Sequence, residues 1–159
     1  MTISEIIASK GSHVTTIRST EHIGKAVQLL HEERIGALVV VDRRGHIAGM
    51  FTERDVIRAL AEGAARALDD EVHEFMSPDV TTCDSNDRID KVMALMTTHR
   101  IRHLPVVTEG RLVGLVSIGD LVKHRFDEKK MEANVLLDIA RVHSRVRAGA
   151  RLLDNDKKS

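Results

Sequence analysis

The sequence predicts an α+β fold: a β-α-β-β-α unit written twice, the copies packed with pseudo-twofold symmetry, and a C-terminal amphipathic helix after them. Three observations predict it. The chain repeats itself at a nearly constant offset. Each copy alternates short β-branched or apolar runs with apolar residues at helical spacing. Beyond Phe126 the composition changes to charged text carrying one apolar stripe.

The repeat determines the architecture, since each copy is one unit that packs on the other. VTTIRSTEHIGKAVQLLHEERIGALVVV, from Val14, aligns with VTTCDSNDRIDKVMALMTTHRIRHLPVV, from Val80, at an offset of 66. Val14/Val80, Thr15/Thr81, Ser19/Ser85, Ile23/Ile89, Lys25/Lys91, Arg34/Arg100 and Val40/Val106 are among the identities. After a turn one residue shorter, Gly45/Gly110, Gly49/Gly114 and Asp55/Asp120 align at 65. The first unit with its N-terminal segment is assigned to residues 1–66, a linker to 67–79, the second unit to 80–125, and a helix and tail to 126–159.

Val14 to Thr16 is a short β-branched run. Ile23, Ala26, Val27 and Leu30 fall at i, i+3, i+4 and i+7, one face of a helix. ALVVV and IAGMF are apolar strands joined by DRRG, a turn of hairpin length. A second helix starts at Glu53. The linker is partly helical and ends at Pro78. Copy two repeats the plan, with Val80–Thr82 as first strand, Ile89, Val92, Met93 and Met96 as the helical face, LPVV and LVGLV as strands, and a helix from Ile118. A unit of this size is marginal alone, so the copies should pack on each other. In the tail, Met131, Val135, Ile139, Val142, Val146, Ala150 and Leu153 recur every ~3.7 residues, nearer an amphipathic helix than a long coiled coil. Its arginines, Arg141, Arg145, Arg147 and Arg151, come late, which suits the helix dipole. A lone helix of this kind needs packing. It could fold back or lie on a second copy.

Bulk properties exclude several classes. The 159 residues are 42% hydrophobic and 30% charged with formal net charge +0, so nothing global points to nucleic acid or an acidic membrane surface. A single cysteine, Cys83, excludes an intramolecular disulfide and a multi-cysteine zinc site. No apolar run is long enough for a membrane span, and MTISEIIASK does not resemble a signal peptide; the expectation is a cytoplasmic protein. Tyr and Trp are absent, which removes the usual platforms for stacking single-stranded nucleic acid. The nine histidines show no ligand spacing that predicts a metal site. Cys83 reads as a small buried thiol, with a redox switch as the alternative. No nucleophile, base and orienting group come together, so no catalysis is expected.

Two stretches carry the candidate site: GMFTERD from Gly49 and GLVSIGD from Gly114. Thr52 and Asp55, or Ser117 and Asp120, can form a capping box, although Asp is one methylene shorter than the usual Glu. The same groups suit a ribonucleotide. A helix N-terminus holds phosphate, and a carboxylate one turn inside can accept both hydroxyls of a ribose diol, as in dinucleotide folds. Glycine inside an apolar strand also marks a place where something approaches the backbone. Arg54 can fork onto a phosphate; Gly119, its counterpart, cannot. The two clefts therefore differ, and residue types leave open which one is filled.

GMFTERD and GLVSIGD, within a doubled unit that also carries IGALVVVD and IRHLPVV, resemble a pair of CBS domains, or Bateman module, over Val14 to about Arg125. The text LDDEV…MSPDVTTC…GLVSIGDLVK resembles small stand-alone bacterial members. The resemblance implies an adenosine-nucleotide-binding regulatory module without catalysis, holding AMP, ADP, ATP, S-adenosylmethionine or NAD(H) between the copies and acting on an unidentified effector protein. It implies that Asp55 and Asp120 bind ribose, and that Thr52 and Ser117 contact phosphate or ribose. Thr16 and Thr82 would line the clefts. The backbone around Gly36, Ala37 and Leu38, and around Arg102, His103 and Leu104, would read the adenine edge, with Pro105 packed at the base. It also implies pairing of modules into disc-like dimers, which favours a homodimer with the tail helix lying on the second copy. The rival expectation is an adaptor with empty clefts that works through its tail helix.

Overall fold

The computed structural model describes the backbone of residues 1–156 and side chains through Arg151, so the side chain of Leu153 lies outside the described residues. The chain divides into two compact units, Met1–Leu121 and the stretch from Val122 onward.

In the first unit, copy one comprises β1 (Thr16–Arg18), α2 (Ile23–Glu33), β2 (Ala37–Val41), β3 (Ile47–Thr52) and α3 (Glu53–Gly63), preceded by α1 (Ile3–Lys10). Copy two comprises α4 (Ile89–His99), β4 (His103–Thr108), β5 (Arg111–Ser117) and the start of α5 (Ile118–Asp156). β1 runs parallel to β2, which is antiparallel to β3. β4 and β5 form an antiparallel pair. The duplication holds in detail. Val40 faces Gly49 and Val106 faces Gly114, and each pairing is followed by a register shift. α2 and α4 both end on an arginine in the left-handed region, Arg34 (φ 54) and Arg100 (φ 53), a conformation non-glycine residues seldom adopt.

Copy two lacks the expected strand at Val80–Thr82. Only an isolated parallel bridge forms, between Cys83 and Val106. Proline explains the loss. In copy one the Val39 amide donates to the Thr15 carbonyl at 3.4 Å. Its counterpart is Pro105, which has no amide to donate. The ladder shrinks to two bonds around Cys83, Cys83 N to Pro105 O at 3.1 Å and Val107 N to Cys83 O at 2.8 Å.

Each copy is completed by chain that precedes the other copy. α1 comes before copy one, yet Ile3 and Ile6 are buried in the core of copy two with Ile89, Val92, Met96, Leu104, Val116 and Leu121. The linker comes before copy two, yet Ala67 and Val72, on its 3-10 turns Ala64–Asp69 and Val72–Glu74, lie in the core of copy one with Ile23, Leu38 and Phe51. This crossing also explains the strand glycines. A Cβ on Gly49 would lie 2.8 Å from Met76 Sδ and 2.9 Å from Ser77 O; one on Gly114 would collide with Ile7 Cδ1. What approaches the backbone is the chain's own crossing segment.

α5 is one helix where the closing helix of the second unit and a separate tail helix were expected. α3 stops at Gly63 and Ala64, the latter at φ 51. By the repeat offset Gly63 corresponds to Glu128, a good helix former, so nothing halts the second helix there. Among the described residues, no helix is long and apolar enough to cross a membrane.

Candidate functional site

The first cleft opens at the start of α3. Thr52 sits in extended backbone as the N-cap. Its amide donates to Asp55 Oδ2 at 2.8 Å, and its hydroxyl donates to the same oxygen at 3.3 Å. The capping box is therefore formed, with Asp reaching back despite its short stem. Asp55 is 8% exposed. Its other oxygen, Oδ1, has Arg58 Nη2 at 3.4 Å. That guanidinium is held by the Phe75 carbonyl at 2.6 Å and lies 5.3 Å from the centroid of the Phe75 ring. A carboxylate can accept about four hydrogen bonds, so capping does not exhaust Asp55.

Around these groups lies a cleft of about 330 Å³, within the range of small-molecule sites. Gly36, Thr52, Glu53, Arg54 and Asp55 line it from copy one, Arg100, Arg102 and His103 from copy two, and Ser77, Asp79 and Thr81 from the crossing segment. Arg54, Arg100 and Arg102 face Glu53, Asp55 and Asp79, so the lining is close to neutral. His103 is held below its ordinary 6.5, first by burial and then by the Lys10 and Arg102 charges, against the opposing pull of Glu53 and Asp120. A neutral imidazole offers one donor and one acceptor. It packs tightly on Gly36, where a Cβ would come within 3.3 Å of the ring.

Other expected site residues are not among those lining this cleft. Ala37, Leu38 and Leu104 are at most 1% exposed, and Pro105 is buried. Their side chains are core, and only backbone remains for recognition. The carbonyls of Gly36 and Arg102 already accept from the first amides of α3 and α5, at 3.1 and 2.8 Å. Thr82 is exposed and Thr81 lines the cleft. In extended chain, neighbours point to opposite faces, so one residue decides the matter. Thr16, the repeat partner of Thr82, borders a separate hollow beside the hairpin turns at Arg44–His46 and Gly110–Leu112.

The second site is built differently. Ser117 and Asp120 form the same cap, with Ser117 N to Asp120 Oδ2 at 2.9 Å and Asp120 N to Ser117 Oγ at 3.1 Å. Lys10, at the end of α1, donates to Asp120 Oδ2 at 2.6 Å and to the Leu115 carbonyl at 2.9 Å. Burial raises the Asp120 carboxyl, but the Lys10 hydrogen bond and charge and the Ser117 amide and hydroxyl outweigh it, and the group sits below its ordinary value.

Comparison with known proteins places the chain in a family. The family model described as CBS domain matches twice, over residues 3–62 and 72–127, more than half of the chain. The chain belongs to the CBS-domain family. The CBS domain-containing protein YhcV of Bacillus subtilis is 31% identical over 80% of this chain and 89% of its own. The crystal structure of the CBS-domain containing protein ATU1752 from Agrobacterium tumefaciens is 41% identical, covers 78% of this chain and 92% of its own, and superposes with a TM-score of 0.76. The CBS domain pair of protein MJ0100, solved in complex with 5′-methylthioadenosine and S-adenosyl-L-methionine, is 27% identical, covers 81% of this chain and 98% of its own, and has a TM-score of 0.71. The first match begins at residue 3, so the family model includes the crossing helix α1 in the first CBS domain, although it packs on the second.

Cys83 lies in the core of the second CBS domain. Burial first, and then Asp87 and Asp84, push its thiol up to about 12 against the Lys91 charge. A thiol so seldom ionised is a poor redox sensor. Among the described residues no group of three or more His, Cys, Asp or Glu could hold a metal ion.

Proposed function

We propose that this chain is a regulatory module that binds an adenosine ligand between its CBS domains, and that it has no catalysis of its own. The observation that carries the reading is the cleft around Asp55. It joins a ribose-type carboxylate, a hydroxyl at a helix N-terminus, arginines from both domains and a neutral histidine. The adenosine ligands held by the MJ0100 pair support the class. Thr52 and Arg54 would meet phosphate or a 5′ substituent, Asp55 the ribose, and His103 with the Gly36 backbone the base. The near-neutral lining favours a ligand of small net charge, such as AMP, NAD(H) or S-adenosylmethionine, over ATP.

The absence of Trp and Tyr supplies a sensitive test. A co-purifying adenine ligand would dominate the ultraviolet spectrum, and mass spectrometry of the filtrate after denaturation would identify it. Calorimetry would then rank AMP, ATP, NAD(H) and S-adenosylmethionine. Asp55→Asn keeps an acceptor for Thr52 but loses the charge. With charged hydrogen bonds at about 1.5–3 kcal/mol, affinity should fall roughly tenfold or more. No ligand in the filtrate and no calorimetric heat would leave the adaptor reading, which Lys10 on Asp120 already favours for the second site.

A further inference from the structure

We infer that the stretch of α5 from Met131 to Arg151 pairs antiparallel with the same stretch of a second copy. Met131, Val135, Ile139, Val142 and Val146 lie along one side and are 49–70% exposed. On that side Val135, Asp138, Ile139 and Val142, with His143 at the rim, line a hollow. Their spacing is i, i+3, i+4 and i+7, the four-residue hole that receives one knob from a facing helix.

Charge selects the occupant. Between Asp127 and Ile139 the helix carries Asp127, Glu128, Glu132 and Asp138 against Lys129 and Lys130. Between Ala140 and Arg151 it carries Arg141, Arg145, Arg147 and Arg151 and no acid. A parallel partner would set the arginine-rich halves side by side. An antiparallel copy sets each against an acidic half and opposes the two helix dipoles. The apolar stripe allows the same arrangement. With the midpoint between Ala140 and Arg141, Met131 layers on Ala150, Val135 on Val146 and Ile139 on Val142 of the second copy. Val142 is then the knob for the hole, and Arg145 of the second copy comes beside Asp138. The acids' own i,i+3 partners, such as Arg141 at 3.6 Å from Asp138, are exposed pairs of little energy and yield readily. The contact is isologous and closes as a dimer. It does not depend on any ligand in the clefts.

Directional cross-linking tests it on the full chain. Met131→Cys and Ala150→Cys proteins are mixed and oxidised. The wild-type chain serves as control, since Cys83 is buried with its thiol pushed up to about 12. The expected product is the mixed disulfide, with little Met131→Cys homodimer, because those two sites would stand ~28 Å apart along the helices. Adding Val142→Asp to both proteins should abolish the product. A Met131→Cys homodimer as the main product, no cross-link at all, or a cross-link indifferent to Val142→Asp would overturn the inference.

Discussion

His103 is the residue where burial and charge are most finely set against each other. In the folded chain its imidazole resists protonation, through burial and then Lys10 and Arg102, with Glu53 and Asp120 opposing. The unfolded chain takes that proton near 6.5. Below this pH the unfolded state binds more protons, so stability falls with pH until the folded imidazole is itself protonated. Wild-type protein should lose melting temperature as pH drops through this window, and His103→Gln should lose less. Equal losses would mean another group carries the effect. Acidification should also weaken the Asp55-cleft ligand, since a charged His103 has no acceptor left. Residues of this kind were only partly legible. Thr52, Asp55, Ser117 and Asp120 announce themselves through the repeated Gly, hydroxyl and Asp spacing. Arg100 and Thr81 are identities in the same repeat, Arg34/Arg100 and Thr15/Thr81, but nothing in residue type says which side of an extended chain faces the cleft. Lys10 was invisible, because its partner Asp120 is distant in sequence.

At the scale of elements, α1 is the instructive case. MTISEIIASK contains a helix start, Thr2 and Glu5, which form a capping box in the structure. Its eight residues cannot hold a helix unaided. What holds them is burial of Ile3 and Ile6 in the second domain's core, backed by Ile3 N to Asp87 O at 3.0 Å and Ser4 N to Ser85 O at 2.8 Å. Local pattern cannot reveal so distant a partner. The strand lost to Pro105 shows the reverse: repeat matching promises an element that one missing amide forbids. Ile3→Ala should cost about 2–5 kcal/mol, the range for fully buried aliphatic truncations. Urea denaturation should show the loss in a single transition, because α1 ties the second domain to chain that precedes the first. A separate early transition for one domain would show that the crossing segments do not couple them.

At the scale of the whole molecule, the duplication makes two candidate sites and the crossing segments make them unequal. Lys10 of the first repeat corresponds to Met76 of the second. Met76 packs on Gly49 and leaves the Asp55 carboxylate to its own helix. Lys10 instead reaches Asp120, where any ribose would have to compete with an ammonium at 2.6 Å. Lys10 is 40% exposed, so water screens the pair. A charged hydrogen bond discounted in this way still handicaps the second site by roughly tenfold. Calorimetry on the wild-type chain should therefore resolve one ligand per chain, lost in Asp55→Asn and kept in Asp120→Asn. Lys10→Met gives the first repeat the residue of the second and frees Asp120. A second binding event should then appear, and Asp120→Asn should remove it. Two equal events in the wild-type chain, or one event that follows Asp120 and ignores Asp55, would show that Lys10 does not set the occupancy.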